Sequence, residues 1–241
     1  MKNYYDQNYI IASSQCDVNS KLRFDAVLGI FQDVTTEHST KMGTGHDDLL
    51  RSSNAFWVLS KVRFNLKGEI KVSSSVNAKT WPLKPQLIRF LRETQITSST
   101  GTVNGLAEWC ILDASTMAIR KASSVCYPHD MEYLPASEYV SDFLRIKETV
   151  EPENFCYLYK TMLTDIDVNG HVNNLCYARL ALNAFEPNEF YNYNFTGFEL
   201  HFISQTYYDY EISVYKKEID GGVYVEGTNN GKTVFKAIFK K

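Results

Sequence analysis

Asp167-Val168-Asn169-Gly170-His171-Val172-Asn173-Asn174-Leu175-Cys176-Tyr177 sets an acid, an imidazole and three amides just ahead of an apolar helical stretch. Its opening triplet already stands earlier in the chain as Asp17-Val18-Asn19. Three matching residues are little by themselves. Each copy, however, follows a strand-like run and precedes a helix-like one, and the order of elements beyond them also matches. The chain therefore reads as two copies of one unit.

In the first copy, Ala26, Val27, Ile30, Phe31, Val34 and His38 recur at helical spacing, with Gln32, Asp33, Thr36 and Glu37 on the other side. This predicts one long amphipathic helix over 22–39. Strands are predicted over 55–65, 70–80, 86–98, 103–113 and 118–126, some of them parted by the turn pairs Lys67-Gly68 and Thr100-Gly101. The second copy is shorter. A strand over 155–163 precedes a helix marked by Leu175, Ala178, Leu182 and Phe185, which Pro187 helps to end. Strands over 195–206, 210–216, 223–228 and 233–239 follow, with Gly221-Gly222 and Asn230-Gly231 as turns. The fold class is α+β, an antiparallel sheet around a central helix, made twice. The expected organisation is an N-terminal domain over 1–126, a linker over 127–153 and a C-terminal domain over 154–241. Pro128, Pro135 and Pro152 punctuate the linker among Asp130, Glu132, Glu138, Asp142, Glu148, Glu151 and Glu153, with a short helix expected near 136–146.

At 241 residues, 44% hydrophobic and a formal net charge of -3, the chain is neither disordered nor suited to nucleic acid. Residues 1–19 carry no secretory signal and no apolar run reaches the length of a membrane span, so no membrane role and a cytoplasmic location are expected. The five cysteines are odd in number and include no C-x-x-C pair, which fits reduced thiols. His38, His46, His129 and His201 show no metal-ligand spacing, so no metal is expected, and His38 is read as a packed or capping imidazole. Residues 61–93 hold eight lysines and arginines against two glutamates. Such a stretch is either a set of solvated strand edges or a landing surface for an acidic partner.

Taken together, these residues resemble the acyl-acyl carrier protein thioesterases, a family of tandem hot-dog domains. The most specific part is Asp167-x-Asn169-x-His171-Val172-Asn173-Asn174-x-x-Tyr177, which is similar to that family's catalytic tract. Weaker supports are Phe31-Gln32-Asp33 with His38, Trp57-Val58-Leu59, Thr80-Trp81-Pro82, Arg89-Phe90 and Glu108-Trp109. The resemblance implies hydrolysis of the thioester that joins a fatty acyl chain to acyl carrier protein, releasing free fatty acid and ending chain elongation. It implies that the first domain holds the acyl chain and the second the reacting groups, with no cofactor.

Thioester hydrolysis needs a nucleophile, a group to move protons and donors for the oxyanion. Asp167 is the expected base or nucleophile. Asn169 orients a water or donates to an oxygen, and His171 bonds the carboxylate or polarises the thioester. Backbone N–H groups over 170–173 are expected to complete the oxyanion site, with Gly170 leaving the backbone open. Asn173, Asn174 and Trp57 are expected to bind substrate. On the residues alone, Asp167, Asn169 and Asn173 equally suit a turn and a helix cap. Lys21 in the first copy, where the second has His171, suggests a degenerate first site and an active second one.

In the strand predicted over 198–206, where the family often has a glutamate, this chain has Ser204 and Gln205. Glutamine positions a water but takes no proton, which leaves more of the base work to Asp167. Cys176 is read as a buried structural cysteine rather than a nucleophile. A general acyl-coenzyme A thioesterase and a non-catalytic acyl-binding protein are the competing functions, and pairing into a homodimer through exposed sheet edges stays open.

Overall fold

Apolar side chains three and four residues apart give the long helix of the first copy its buried stripe. In the structure, a computed structural model describing residues 3–128, 131–139 and 142–241, that helix (α1) runs Phe24–Lys41 and buries Val27, Leu28, Ile30, Phe31 and Val34. Each such side chain contributes about 1.5–3 kcal/mol when removed from water. Asp25 lies in the first turn and His38 and Lys41 in the last, signs that suit the helix dipole. The chain divides into two units, Met1–Asp142 and Phe143–Lys241.

In the first unit the strands are β1 (Tyr5–Ile10), β2 (Ala55–Gly68), β3 (Ser75–Pro82), β4 (Phe90–Thr97) and β5 (Gly101–Asp113). All pairs are antiparallel, in the order β1-β3-β4-β5-β2. Gly105 on β5 faces α1, for a Cβ there would lie 2.0 Å from the Phe31 ring. The absent side chain lets helix and sheet close up.

In the second unit the strands are β6 (Phe155–Lys160), β7 (Gly197–Phe202), β8 (Glu211–Ile219), β9 (Gly222–Asn229) and β10 (Lys232–Lys240), with the central helix α3 at Asn174–Leu182. Their antiparallel order is β6-β8-β9-β10-β7. Matching β1 with β6, β3 with β8, β4 with β9, β5 with β10 and β2 with β7 gives the same topology twice. This is the α+β arrangement read from the repeat, and it agrees with the tandem hot-dog fold that the resemblance implies.

Several expectations fail. The stretch 118–126 forms no strand. It makes two bonds beside β5, Asp113 N–H to Ala118 O and Arg120 N–H to Ile111 O, and then turns so that Ala122 N–H bonds Leu87 O. Leaving the sheet lets Ala122, Val125 and Tyr127 pack on Met42, Leu49, Phe90 and Ile111. Two helices were missed, α2 (His46–Ser53) and α4 (Pro187–Tyr193). Their starts were legible, because Asp48 accepts the Gly45 N–H at 3.2 Å and Pro187 takes a first-turn position that needs no N–H donor. Pro187 thus opens α4, while α3 ends at Leu182.

The linker is not a free acidic tether. In the first unit Glu93, on the β4 face opposite α1, accepts both the N–H and the hydroxyl of Ser137, and Arg63 donates to Asp142 O at 3.0 Å. In the second, Glu199 accepts the Leu144 N–H at 2.7 Å and Lys236 donates to Glu148 O at 3.0 Å. The helix expected near 136–146 is absent from the described residues there, and Val140 and Ser141 lie outside them, as do His129 and Asp130.

Candidate active site

The turn after β6 assembles around one carboxylate. Asp167 Oδ1 accepts the backbone N–H of Asn169 at 2.8 Å and of His171 at 3.3 Å, and Asp167 O accepts the Gly170 N–H at 3.0 Å. Gly170 takes φ 77°, the left-handed conformation that closes the loop. The turn-forming reading of Asp167 is therefore correct for one of its oxygens. Among the described residues no donor is recorded on Oδ2, which leaves that oxygen for a water.

His171 is held next to this turn and turned toward the loop that follows β7. Val172 N–H donates to Thr206 O at 2.9 Å, the Tyr177 hydroxyl and Thr206 Oγ1 lie 2.8 Å apart, and the His171 and Tyr207 rings are 5.1 Å apart. These bonds bring Thr206 and Tyr207 to the Asp167–His171 turn, and Gln205 precedes Thr206 in the same loop. β7 ends at Phe202, so Ser204 and Gln205 lie in an exposed loop rather than in a strand. The two bonds recorded between Asp167 and His171 use the histidine's backbone N–H and C=O, not its ring. Asn169 is exposed at the tip of the turn.

The backbone donors expected over 170–173 are already committed. Gly170 bonds Asp167 O, His171 bonds Asp167 Oδ1, Val172 bonds Thr206 O, and Asn173 bonds Asp165 O at 2.7 Å. Folding the turn consumes them. Asn173 is the cap of α3, its side chain accepting the Leu175 N–H at 2.8 Å. At this helix start the Asn174 N–H is a backbone donor with no acceptor recorded among the described residues, as the first N–H groups of a helix commonly are.

Sequence reasoning missed Asp165. Its buried carboxylate accepts the Tyr159 hydroxyl at 2.8 Å and the Met162 N–H at 2.9 Å, and it ties the loop to α3 through Arg179 at 3.5 Å. Gln15 does the same local work in the first copy by accepting the Ala12 N–H at 2.9 Å. Cys176 is buried, and burial, reinforced by Asp165, pushes its thiol up to about 12. It stays a neutral thiol, as a structural cysteine should.

The other expected residues fall elsewhere. Trp57 belongs to the first unit, where its Nε1 donates to Thr44 O at 2.8 Å and its ring packs edge-on against Phe90 at 4.9 Å. His38 is a packed imidazole, with Nδ1 3.0 Å from Arg92. The basic stretch is largely used internally. Arg63 and Arg92 are buried, Lys61 and Arg89 both bind Glu108 at 3.2 and 2.5 Å, Lys71 binds Glu69 at 3.1 Å, and Lys79 lies over the Tyr4 and Trp81 rings. Among the described residues no group of three or more His, Cys, Asp or Glu is placed to hold a metal ion, and no helix is long and apolar enough to cross a membrane.

Residues 2–126 match the model of the acyl-ACP thioesterase N-terminal domain, and residues 149–238 that of the acyl-ACP thioesterase C-terminal domain. The chain belongs to the acyl-ACP thioesterase family. It is 21% identical over 189 residues to oleoyl-acyl carrier protein thioesterase 2 of Arabidopsis thaliana, a match spanning 72% of this chain and 52% of that one. It thus spans about half the length of that curated relative. A second relative, the oleoyl-acyl carrier protein thioesterase of Coriandrum sativum, is 20% identical over 93% of this chain and 66% of its own length. In fold, the chain is similar to an acyl-ACP thioesterase from Bacteroides thetaiotaomicron, with TM-score 0.86, 20% identity and coverage of 99% and 97%. It is also similar to the 12:0-ACP thioesterase of Umbellularia californica, with TM-score 0.85, 14% identity and coverage of 100% and 97%. Both acyl-ACP thioesterase structures carry the fold over essentially the full chain.

Proposed function

We propose that this member of the acyl-ACP thioesterase family hydrolyses the thioester of fatty acyl-acyl carrier protein. The observation that supports the reading is the Val172–Thr206 bond, which joins the Asp167–His171 turn to the loop that carries Gln205, while one Asp167 oxygen has no donor among the described residues. A water directed by Asn169 and Gln205 attacks the thioester carbonyl carbon, and its proton passes to Asp167 Oδ2. The oxyanion takes hydrogen bonds from the Asn174 N–H and from His171. When the tetrahedral intermediate collapses, the carbon–sulfur bond breaks and the carrier thiolate recovers the proton from Asp167. Fatty acid and free carrier thiol leave, so no cofactor is consumed.

In this reading the first unit holds the acyl chain and the second performs the chemistry, in a cytoplasmic setting that the five unpaired thiols support. The pairing of Lys61, Arg89 and Lys71 with local glutamates favours a second reading, a general acyl-coenzyme A thioesterase, because it leaves fewer free cations for an acidic carrier. Mass-spectrometric assay of the purified protein on matched acyl-carrier and acyl-coenzyme A thioesters separates the two. Faster turnover of the carrier substrates supports the first, equal rates the second, and binding without turnover of either rejects both.

A further inference from the structure

A buried guanidinium and a buried indole N–H stand on the inward face of the first sheet with no carboxylate to meet them among the described residues. Arg92 is 6% exposed, and its Nη1 lies 3.0 Å from His38 Nδ1 and 3.5 Å from Thr80 Oγ1, with Nη2 3.9 Å from Met42 Sδ. No carboxylate pairs with it among the described residues. Desolvation pulls this guanidinium down to about 10 from its ordinary value. Trp109 Nε1 is also buried and has no hydrogen-bond partner among the described residues. Buried charges and N–H groups are costly unless an acceptor meets them.

The two donors are neighbours. Phe90 pairs with Trp109 and Arg92 with Ala107, so Arg92 and Trp109 sit diagonally across β4 and β5. Both share the face on which Gly105 meets Phe31 of α1. The surroundings are otherwise aromatic, with Trp57 and Trp109 6.4 Å apart, Phe90 and Tyr127 5.1 Å apart, and Met42 buried beside them. A wall serving saturated hydrocarbon alone would be packed better by Leu or Met than by a guanidinium and an unpaired indole N–H.

We infer that the interior of the first unit selects acyl chains bearing a hydroxyl or keto oxygen, which accepts hydrogen bonds from Arg92 and Trp109. This rests on the reading that the first unit holds the acyl chain. His38 and Thr80 meet Nη1, while Nη2 lies against Met42, which packs in one cluster with Phe90 and Tyr127. Arg92 and Trp109 are thus specificity-determining residues rather than groups acting on the thioester.

The test compares stearoyl-, 3-hydroxystearoyl-, 10-hydroxystearoyl- and 12-hydroxystearoyl-acyl carrier protein as substrates, with the corresponding free acids titrated by calorimetry. At least one hydroxylated chain should exceed the unsubstituted one roughly tenfold in kcat/KM and in affinity. Arg92→Met and Trp109→Phe should each bring that ratio toward one. Trp109→Phe is the conservative arm, and thermal unfolding of both variants shows which of them is folded. Equal handling of all chains by the native protein, or an unchanged ratio in Trp109→Phe, overturns the inference. Hydroxylated acids that bind preferentially while no thioester is cleaved would overturn the hydrolase reading and leave this one standing.

Discussion

Asp17 and Asp167 hold the same turn in the two units. Asp17 Oδ1 accepts the N–H groups of Asn19 and Lys21 at 2.8 and 2.9 Å, as Asp167 Oδ1 accepts those of Asn169 and His171 at 2.8 and 3.3 Å. The residue before the turn closes is left-handed in both, Ser20 at φ 61° and Gly170 at φ 77°. Folding thus accounts for one oxygen of each carboxylate, and what differs is the side chain at the end of the turn. Lys21 pairs with Glu69, whereas the His171 ring lies against Tyr207.

From this comparison, Asp167→Asn should keep the turn, because an amide oxygen still accepts both N–H groups, while removing the proton acceptor. Turnover should fall about 10²- to 10⁴-fold with little change in unfolding midpoint. Asp17→Asn should keep both. Steady-state kinetics and thermal melts of the two variants check this, and equal activity in Asp167→Asn would remove the acid from the mechanism.

Removing the His171 imidazole leaves the backbone N–H that bonds Asp167 in place. His171→Ala should therefore lower kcat by about 10²-fold, the loss typical of one oxyanion donor, without unfolding the loop. A crystal structure of the variant with the Asp167–Asn169 bond intact, alongside the kinetic loss, would assign the effect to the ring.

Gly105→Ala tests how closely α1 packs on its sheet. The added Cβ would overlap Phe31 at 2.0 Å, so the ring must move within a filled core. Denaturant unfolding should show a loss of about 1–3 kcal/mol.

Glu108 should make stability fall in acid. Burial opposes its ionisation, but bonds from Arg89 and Lys61 outweigh this and hold the carboxyl below its ordinary 4.5. A lowered folded-state value means that the stabilisation is present above the unfolded value and is lost as pH falls through the folded one. Unfolding midpoints of the native protein should decline below about pH 4.5 more steeply than those of Glu108→Gln.

Cys176 gives the opposite dependence. Its thiol is raised by burial to about 12 from 9.0, so the folded state keeps a proton that the unfolded chain releases. Its contribution is full below the unfolded value and fades as pH rises through the folded one. Cys176→Ala should flatten the alkaline decline between those values. Iodoacetamide should label the exposed Cys126 well before Cys176.

The repeat, the central helices and most of the strands were determined by the sequence itself. Periodicity at 3.6 and 2 residues, with turn residues between, is a local property, and it recurs in both copies. Local signals also announced α2 and α4 through Asp48 and Pro187, although apolar patterning drew attention away from such short, polar helices. Tertiary structure alone decided that 118–126 leaves the sheet, since the gain comes from an aromatic cluster contributed by distant segments. It alone decided that the amides of 170–173 are spent within the fold and that Thr206, next to Gln205, bonds Val172. It alone decided that Arg63 and Arg92 are buried rather than displayed. Sequence spacing fixes what a residue offers its near neighbours, but which of its donors and charges remain free depends on partners brought from far along the chain.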